Sequence, residues 1–370
     1  MINAEDQIYP TYTSKFPELG FYAFPGASSD TRGGLEQVKY AEQLGMGNVM
    51  ISERADFKAI GPMCGAVAAV TEKMYIGTSA TNANTRHPMY TAALCSSLNR
   101  LSRGRFALGL GKGNGPIMKA WGLKPITFED ERQYYDVIKR MLRGETIKNY
   151  SGSIGDFPRL GLMGGYVNED VPILFVGFGP KSLKNAGEIY EGVHLHTNMS
   201  EDAVTRAVGL IREGEREAGK EEGKAKVWTV LATLCNPTEE KYLEYIVARL
   251  TSYLQAPGYG EGLAKINGWD LEEVKRFRNH PTVTSVGGIV DAIASLKQLV
   301  EIEKVLPQEW RTAAVGTPAE CAQRWVREFE AGADGVIVHA STPEEFEPVL
   351  AEYEKIRPNH LFEGRTNRPA

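Results

Sequence analysis

The sequence predicts a single-domain α/β protein, a (β/α)8 TIM barrel that spans residues 1–370. Eight short apolar runs resemble buried strands, and helical patterns separate most of them, as expected for alternating β and α units around a parallel sheet. A barrel with insertions can use 370 residues as one domain. Two stretches, 112–170 and 237–310, are longer than a minimal barrel needs, so we expect them to be insertions at the C-terminal face.

The eight candidate strands are rich in β-branched and aromatic residues, which favour extended structure. In chain order they are Leu19 to Phe24, Asn48 to Ser52, Tyr75 to Ala80, Arg105 to Leu110, Ile173 to Val176, Gly192 to Leu195, Val227 to Leu234 and Gly335 to His339.

The helices between the strands carry start and stop signals. Residues 317–320, Thr-Pro-Ala-Glu, form a capping box with proline at the first helical position. Gly332 is placed to end that helix in a left-handed conformation. The first insertion is predicted to hold a helix from about Asp130 to Leu142 and then a glycine-rich irregular segment. The second insertion is predicted to be mostly helical, and the polar end 364–370 to be a plain tail.

The composition argues against several classes of function. The formal net charge of -5 and the sequence pI of about 5.8 give no broad basic surface for nucleic acid. The sequence has no apolar run of the roughly 18 residues that a membrane span needs. The N-terminus lacks the basic and apolar regions of a secretion signal, so we expect a cytoplasmic protein. Its well-separated cysteines are then expected to be buried thiols: Cys64, Cys95, Cys235 and Cys321.

Two glycine-rich turns follow candidate strands and could meet an anion. Residues 109–115, GLGKGNG, lack the spacing of the dinucleotide fingerprint G-x-G-x-x-G, but small residues there let the backbone approach a ligand. Lys112 and Asn114 would add donors, and an ordinary loop is the alternative. In residues 176–182, VGFGPKS, a strand passes through glycines into a helix that Pro180 begins. Exposed amides at such a turn could cradle a phosphate, and a tight turn without a ligand is the alternative.

Polar side chains are dense after two other candidate strands. Residues 77–88 combine amide, hydroxyl and guanidinium groups that are costly to bury without partners, so we predict that they face a ligand, with Asn84 and Arg86 as substrate contacts. After the second strand come Glu53, Arg54 and Asp56, whose side chains would point into the mouth of the barrel. An ion pair of Glu53 with Arg54 or Asp56 at the rim is the alternative.

Two histidines lie two residues apart near the sixth candidate strand and so share one face of it. His194 and His196 resemble one element of a metal-dependent hydrolase barrel. A metal site would need further ligands at other strand ends, and the sequence shows no third spacing signature. Structural or cofactor-contacting roles are therefore the preferred interpretation.

Several segments occur in a characteristic order along the chain: LGFY at 19–22, AEQLG at 41–45, GTS at 77–79 with RHP at 86–88, SRGRFALGLG at 102–111, GPKS at 179–182 with AGE at 186–188, and GTP at 316–318 with AGADGV at 331–336. Together they resemble the luciferase-like monooxygenase superfamily, and within it the coenzyme F420-dependent oxidoreductases. The resemblance covers almost the whole barrel.

This resemblance implies a deazaflavin or flavin ring in the mouth of the barrel, with coenzyme F420 preferred and FMN as the alternative. It also implies a homodimer, and a non-prolyl cis peptide bond behind the ring, which falls on Ser79 and Ala80. The residues implied to contact the cofactor are Ser79, Ala80, Thr81, Asn82, Gly111, Lys112, Gly113, Asn114, Gly177, Phe178, Gly179, Pro180, His196 and Thr197.

The chain departs from the family pattern after the second strand. Relatives that act on alcohols or sugar phosphates have an Asp-His pair there, whereas this chain has Glu53 and Arg54. A glutamate that these relatives carry near the fourth strand is replaced by Asn114. Because arginine stays protonated, Arg54 cannot act as a general base and would instead orient an anionic group. Oxidation of alcohols or sugar phosphates is therefore disfavoured.

Our hypothesis from the sequence is hydride transfer between a deazaflavin and an unidentified organic substrate, in a pocket lined by Tyr22, Glu53, Arg54, Asn84 and His196. Glu53 is the first candidate for proton transfer, with Arg54 as its electrostatic partner and Tyr22 as an alternative donor. Three alternatives stay open: an FMN-dependent monooxygenase supplied by a separate reductase, a metal-dependent hydrolase built on the two histidines, and a cofactor-binding protein without turnover.

Overall fold

Eight parallel strands form the centre of the molecule in a computed structural model that describes residues 9–25, 30–54, 58–113, 115–162 and 168–370. The strands of the structure are β1 (Phe16–Tyr22), β2 (Met46–Ile51), β3 (Tyr75–Thr78), β4 (Thr81–Asn82), β5 (Phe106–Gly111), β6 (Ile147–Gly152), β7 (Gly155–Leu160), β8 (Ile173–Val176), β9 (Gly192–His194), β10 (Lys226–Cys235), β11 (Ala314–Gly316) and β12 (Gly335–His339).

The parallel sheet closes on itself. Its order is β1, β2, β3, β5, β8, β9, β10 and β12, and β12 pairs with β1 to complete the ring. Each of the eight strands coincides with one of the runs predicted from the sequence, and the predicted (β/α)8 barrel is confirmed. Two short strands extend this sheet, since β4 continues β3 alongside β5 and β11 pairs with β10.

Helices surround the barrel and fill both insertions: α1 (Thr31–Gln43), α2 (Ile60–Val70), α3 (Pro88–Leu101), α4 (Gly115–Ala120), α5 (Phe128–Leu142), α6 (Pro180–Ile189), α7 (Glu201–Glu217), α8 (Glu239–Tyr242), α9 (Arg249–Gln255), α10 (Tyr259–Asn267), α11 (Leu271–Arg278), α12 (Pro281–Thr284), α13 (Val290–Ile293), α14 (Leu296–Val305), α15 (Pro318–Glu330) and α16 (Pro343–Ile356). A π-helical turn, Leu243–Ala248, joins α8 to α9. The capping box that begins α15 is present, with the Thr317 side chain and Glu320 bonding as predicted.

The first insertion is more regular than the sequence suggested. The predicted helix is α5, but the segment after it contains an antiparallel hairpin, β6 and β7, where an irregular stretch was expected. Tyr150 and Phe157 lie opposite each other across this hairpin with their rings stacked at 5.8 Å. Cross-strand aromatic pairs of this kind stabilise extended pairing, and Gly152 and Gly155 pair at the strand ends on either side of the two-residue turn.

The second insertion is helical, as predicted, and buries apolar side chains of its own. Its cluster runs from Leu243 to Trp310 and includes Phe277, and Trp269 stacks on Trp310 at 5.2 Å. This helical unit follows β10, so it begins at the C-terminal end of the barrel, where the mouth lies. Among the described residues, no helix has the length and apolar run needed to cross a bilayer.

The polar C-terminal end is packed rather than a plain tail, so this expectation was wrong. Asn367 is fully buried and bonds to Ser14 and to the Lys73 carbonyl. The Pro369 carbonyl accepts a 3.0 Å hydrogen bond from the indole N–H of Trp228. Because Trp228 lies near the start of β10, these contacts place the chain end at the N-terminal face, opposite the mouth.

The helices α6 and α7 approach so closely that a methyl group at their contact would clash. A Cβ atom added to Gly214 would lie 1.9 Å from the Lys184 carbonyl oxygen. We therefore expect Gly214→Ala to lower the free energy of unfolding by about 1–3 kcal/mol. Gly209→Ala, on the open face of the same helix, is the control and should raise it by up to about 1 kcal/mol. Denaturant unfolding would measure both, and equal effects of the two variants would contradict this packing.

Candidate active site

The mouth of the barrel collects polar and aromatic side chains from strands that are far apart in sequence. Tyr22 ends β1, His194 ends β9, His339 ends β12, and Ser79 directly follows β3. Since all eight strands are parallel, their C-terminal ends meet at one face of the barrel. This face therefore brings together residues that the sequence separates by more than 300 positions.

The peptide bond between Ser79 and Ala80 is cis, as predicted. The Tyr22 hydroxyl lies 2.9 Å from the Ser79 carbonyl oxygen and 2.5 Å from the Ser79 Oγ. The Ser79 Oγ in turn lies 3.2 Å from the Nδ1 atom of His194. Tyr22, Ser79 and His194 are thus connected by hydrogen bonds beneath the mouth.

A glycine turn follows β5 beside this bond. A Cβ atom on Gly111 would lie 3.1 Å from the Ala80 Cβ and 3.3 Å from the Val176 carbonyl oxygen, and one on Gly113 would lie 3.0 Å from the Asn82 Oδ1. Gly113 also has a φ of 71°, a region that suits glycine. The backbone of this turn therefore packs directly against Ala80 and Asn82, where a side chain would be crowded, and Asn114 lies outside the described residues.

A second glycine turn leads from β8 into α6. Gly179 is the N-cap of α6 and Pro180 its first residue, so no side chain caps the amides of the first turn. Those amides and the positive end of the helix favour an anion. Gly177 bonds through its N–H to the His194 carbonyl, which holds this turn against β9.

Lys112, the cation predicted at the first turn, already has a partner. Its Nζ lies 3.3 Å from a carboxylate oxygen of Glu131 and 3.5 Å from the centre of the Phe128 ring. Burial raises the pKa of Glu131 to about 7, although Lys112 opposes this shift. The charge of Glu131 therefore changes near neutral pH, and with it the availability of Lys112 to an anion.

Glu53 is held by neighbours from the polar segment after β3. Its carboxylate pairs with Arg86, accepts a 2.5 Å hydrogen bond from Thr81 Oγ1 and a 3.3 Å bond from the amide of Ile60. Its side chain is only 6% exposed. An ion pair for Glu53 was one of the interpretations of the sequence, but the partner found here is Arg86, and Asp56 lies outside the described residues.

Other candidate residues are spread around the mouth. Arg54 is exposed, and its backbone bridges to Lys58. The Asn84 amide donates a 3.0 Å bond to the Lys124 carbonyl in the first insertion. His196 bonds to the Thr197 carbonyl at 2.8 Å. The roles assigned to these residues from the sequence stay predictions.

An aromatic wall, formed by Phe178, His196, Tyr253 and Tyr259, closes one side of the mouth. The Tyr259 hydroxyl lies 2.6 Å from His196 Nε2, and Phe178 lies 4.9 Å from Tyr259 by ring centres. Tyr253 stacks on Tyr259 at 5.3 Å. Both tyrosines come from the helical insertion, α9 and α10, and sequence reasoning missed them because no strand-end pattern marks them.

The histidines of the mouth are neutral at physiological pH. Burial lowers the pKa of His194 to about 3, that of His196 to about 4 and that of His339 to about 3, and Arg249 adds to the last two shifts. In the described part of the chain, no three His, Cys, Asp or Glu side chains converge as a metal site would require. His194 faces the barrel interior beside Trp228, whereas His196 belongs to the aromatic wall.

The mouth can therefore hold a planar ring and an anionic tail. The cis bond and the aromatic wall offer surfaces for a ring, and the two glycine turns offer amides to an anion. The Tyr22 hydroxyl is a proton donor at hydrogen-bond distance from the Ser79 carbonyl oxygen. This arrangement suits binding of a phosphorylated redox cofactor with one substrate beside it.

Comparison with known proteins supports this interpretation. The chain is 33% identical over 186 residues to 5,10-methylenetetrahydromethanopterin reductase of Methanolobus tindarius, covering 50% of this chain and 55% of that protein. It is 29% identical over 227 residues to the enzyme of the same name from Methanopyrus kandleri, covering 56% and 63%. The matched regions thus span between about half and two thirds of these relatives.

Solved structures share the fold. The coenzyme F420-dependent tetrahydromethanopterin reductase of Methanopyrus kandleri superposes with a TM-score of 0.76 at 20% identity, covering 92% of this chain and 99% of that one. The oxygenating constituent of 3,6-diketocamphane monooxygenase from Pseudomonas putida, solved with FMN, gives 0.63 at 19% identity, covering 93% and 98%. Residues 20–335 match the family described as luciferase-like monooxygenase. The chain belongs to the luciferase-like monooxygenase family.

Proposed function

We propose that this protein is a coenzyme F420-dependent oxidoreductase that transfers a hydride between the deazaflavin and a small organic substrate. The observation that carries the proposal is that the aromatic wall and the uncapped first turn of α6 lie at the same mouth, joined through Phe178. Relatives named for F420-dependent or methylenetetrahydromethanopterin reactions support the choice of cofactor. Nothing in the mouth identifies one substrate.

The described residues fit such a cofactor. Gly111 lets the backbone after β5 pack directly against Ala80, and the first-turn amides of α6 have no capping side chain. In our proposal the phosphate-bearing tail lies along these two turns, and the ring lies between Ser79–Ala80 and the aromatic wall. Asn82 and Thr81 then line the edge between ring and tail.

The bound deazaflavin supplies the hydride chemistry, and the protein supplies position and protons. Tyr22 is our candidate donor, because its hydroxyl points at the cis bond, whereas the Glu53 carboxylate is bonded to Arg86 and Thr81. The aromatic wall excludes water from the reacting face. In this proposal Glu53 orients Arg86 toward the ligand side of β3 and takes no part in proton transfer.

FMN is the second candidate, because the structurally similar camphane monooxygenase constituent was solved with FMN. An FMN enzyme of this family would need reduced flavin from a separate reductase. Titration of the purified protein with coenzyme F420 and with FMN, followed by fluorescence, separates the two. We expect F420 to bind at least tenfold more tightly, corresponding to about 1.4 kcal/mol, and tighter binding of FMN would overturn the proposal.

A substrate panel then tests turnover. Reduced F420 absorbs differently from oxidised F420, so oxidation of the cofactor with carbonyl, alkene and imine acceptors can be followed directly. Tight F420 binding without turnover on any acceptor would favour the cofactor-binding protein considered from the sequence. Turnover with any acceptor class would identify the substrate class.

The Lys112–Glu131 pair predicts a pH dependence of cofactor affinity. Below pH 7 Glu131 is neutral and Lys112 can turn to the phosphate, whereas above pH 7 the carboxylate holds Lys112 and repels the anion. We expect F420 to bind about fivefold more weakly at pH 8 than at pH 6 through this effect. Glu131→Gln should remove that difference in a paired titration, and an unchanged slope would show that Lys112 is not involved.

We also propose that the protein is a homodimer. The helix α2 has no charged residue along IGPMCGAVAAV, and its Gly61 and Gly65 lie against Leu94 and Leu101 of α3. Next to it α3 exposes Tyr90 and Leu101, which are 75% and 52% accessible. Symmetric pairing with a second copy would cover this apolar face. Light scattering should give twice the chain mass, and Leu101→Glu should weaken the association, whereas a monomer at micromolar concentration would contradict the proposal.

A further inference from the structure

A chain of hydrogen bonds runs from the mouth into the barrel interior through Tyr22, Ser79 and His194. The Tyr22 hydroxyl lies 2.5 Å from Ser79 Oγ and 2.9 Å from the Ser79 carbonyl oxygen, and His194 Nδ1 lies 3.2 Å from the same Oγ. Ser79 is 5% exposed and His194 is fully buried. Because water hardly reaches Ser79 and His194, the hydrogens on these two side chains need protein partners.

Counting hydrogens leaves two arrangements. In the first, His194 Nδ1–H donates to Ser79 Oγ, the Ser79 hydroxyl donates to Tyr22, and the Tyr22 hydroxyl donates to the Ser79 carbonyl. In the second, Tyr22 donates to Ser79 Oγ, Ser79 donates to His194 Nδ1, and the histidine proton sits on Nε2. Each of the three side chains has one hydrogen to place, since neutral histidine carries one.

The first arrangement is the better satisfied. Among the described residues, His194 Nε2 has no hydrogen-bond partner. In the first arrangement His194 Nε2 carries only an unused lone pair. In the second it carries a buried N–H that has no acceptor. The second arrangement also removes the hydrogen bond that the Ser79 carbonyl accepts from Tyr22. A buried N–H without an acceptor is rarer in proteins than an unused lone pair, so the balance favours the first.

We infer that His194 is a positioning residue: its Nδ1–H orients the Ser79 hydroxyl toward Tyr22, so that the Tyr22 oxygen accepts from Ser79 and the Tyr22 proton is held on the Ser79 carbonyl oxygen, from which a ligand in the mouth can take it. In this arrangement the Tyr22 proton is not shared with the Ser79 Oγ, and a ligand that accepts it would replace the bond to the Ser79 carbonyl. Hydrogen bonds in such a chain polarise one another, which strengthens Tyr22 as a donor. The use of that donor in a reaction rests on the proposed function, but the direction of the chain does not.

The surroundings of His194 keep it neutral and fixed. Its ring lies 6.4 Å from that of Trp228, and the absence of a side chain on Gly77 leaves room for Met50 and the imidazole. Burial lowers the pKa of His194, and no charged group contributes to that shift. The neutral His194 imidazole can therefore carry its proton on either Nδ1 or Nε2, and these are the two tautomers to be distinguished.

Nitrogen NMR on the cofactor-free protein tests this directly, because the ¹⁵N shifts of a neutral imidazole show which nitrogen carries the proton. We expect His194 in the Nδ1–H form at pH 7. Two other histidines provide internal references. His196 donates from Nδ1 to the Thr197 carbonyl, and His87 accepts at Nδ1 from the Met89 amide, so their protons lie on opposite nitrogens.

Variants at two positions complete the test. His194→Asn places an amide N–H near the position of Nδ1, whereas His194→Phe fills the space without a donor. With a substrate found in the panel, His194→Phe should lower kcat about tenfold, roughly the value of one hydrogen bond, with the F420 dissociation constant unchanged, and His194→Asn should restore most of it. Ser79→Ala should abolish the tautomer preference of His194 in the NMR spectrum.

An Nε2–H tautomer, or a protonated His194 at pH 7, would overturn the inference. The inference would also be overturned if His194 kept the same tautomer in the Ser79→Ala variant. The NMR measurement uses no cofactor, so its result is valid even if F420 fails to bind. A failure of F420 binding alone would contradict the proposed function but not the inferred direction of the hydrogen bonds.

Discussion

Replacement of Tyr22 by Phe is expected to lower kcat by about 10² to 10⁴-fold, the range typical of a lost general acid. The hydroxyl lies 2.9 Å from the Ser79 carbonyl oxygen, and the variant keeps the ring that packs 5.5 Å from that of His339. Cofactor affinity should change by less than about threefold, because binding depends on the glycine turns rather than on the hydroxyl. Steady-state kinetics with a panel substrate and an F420 titration would measure both.

A matched control is available on the second insertion. Tyr245 is 41% exposed and outside the aromatic wall, so Tyr245→Phe should leave kcat unchanged. Full activity of Tyr22→Phe would contradict the donor role, and Glu53→Gln would then become the variant to measure. A Tyr22→Phe protein that loses affinity for F420 in proportion to its activity would instead place the hydroxyl in cofactor binding.

Breaking the Glu53–Arg86 pair is expected to cost about 3 kcal/mol of unfolding free energy. Arg86→Met removes the cation that faces a carboxylate whose side chain is only 6% exposed, and an unpaired buried charge is strongly destabilising. The hydroxyl of Thr81 and the amide of Ile60 would still bond to Glu53, which limits the loss. Denaturant unfolding of the cofactor-free protein measures it.

The double variant distinguishes a charge effect from a packing effect. Glu53→Gln combined with Arg86→Met leaves no charge uncompensated, so it should be more stable than Arg86→Met alone by about 1–2 kcal/mol. Additive losses in the double variant would show that the two side chains matter mainly through their other contacts. Arg276→Met is the control, since Arg276 is exposed on α11 and should change stability by less than about 0.5 kcal/mol.

The barrel itself was predictable because its signals are local. Buried parallel strands appear as short apolar runs, and capping residues such as Thr317 and Glu320 act within four positions of each other. The hairpin in the first insertion was missed because its pairing depends on Tyr150 and Phe157, which lie in a stretch with no alternating apolar pattern. The packed C-terminal end was missed because polar residues such as Asn367 are buried by distant partners.

The site was predictable in outline for the same reason. Strand ends locate the mouth, and glycines after β5 and β8 mark the places where a backbone is left bare. Pairings between side chains were not predictable, since Glu53 meets Arg86 and Lys112 meets Glu131 only after the chain folds. The tyrosines of the aromatic wall were not predicted, because the helical pattern of the second insertion does not show which of its residues face the mouth.

The proposed function depends most directly on where the cofactor ring and its phosphate lie in this barrel. A crystal structure of the protein with coenzyme F420 would show it. We expect the deazaflavin ring against the Ser79–Ala80 bond, with the Tyr22 hydroxyl on its reacting side and the phosphate on the turns at Gly111 and Gly179. A ring bound outside the mouth, or a phosphate held away from both glycine turns, would contradict the account.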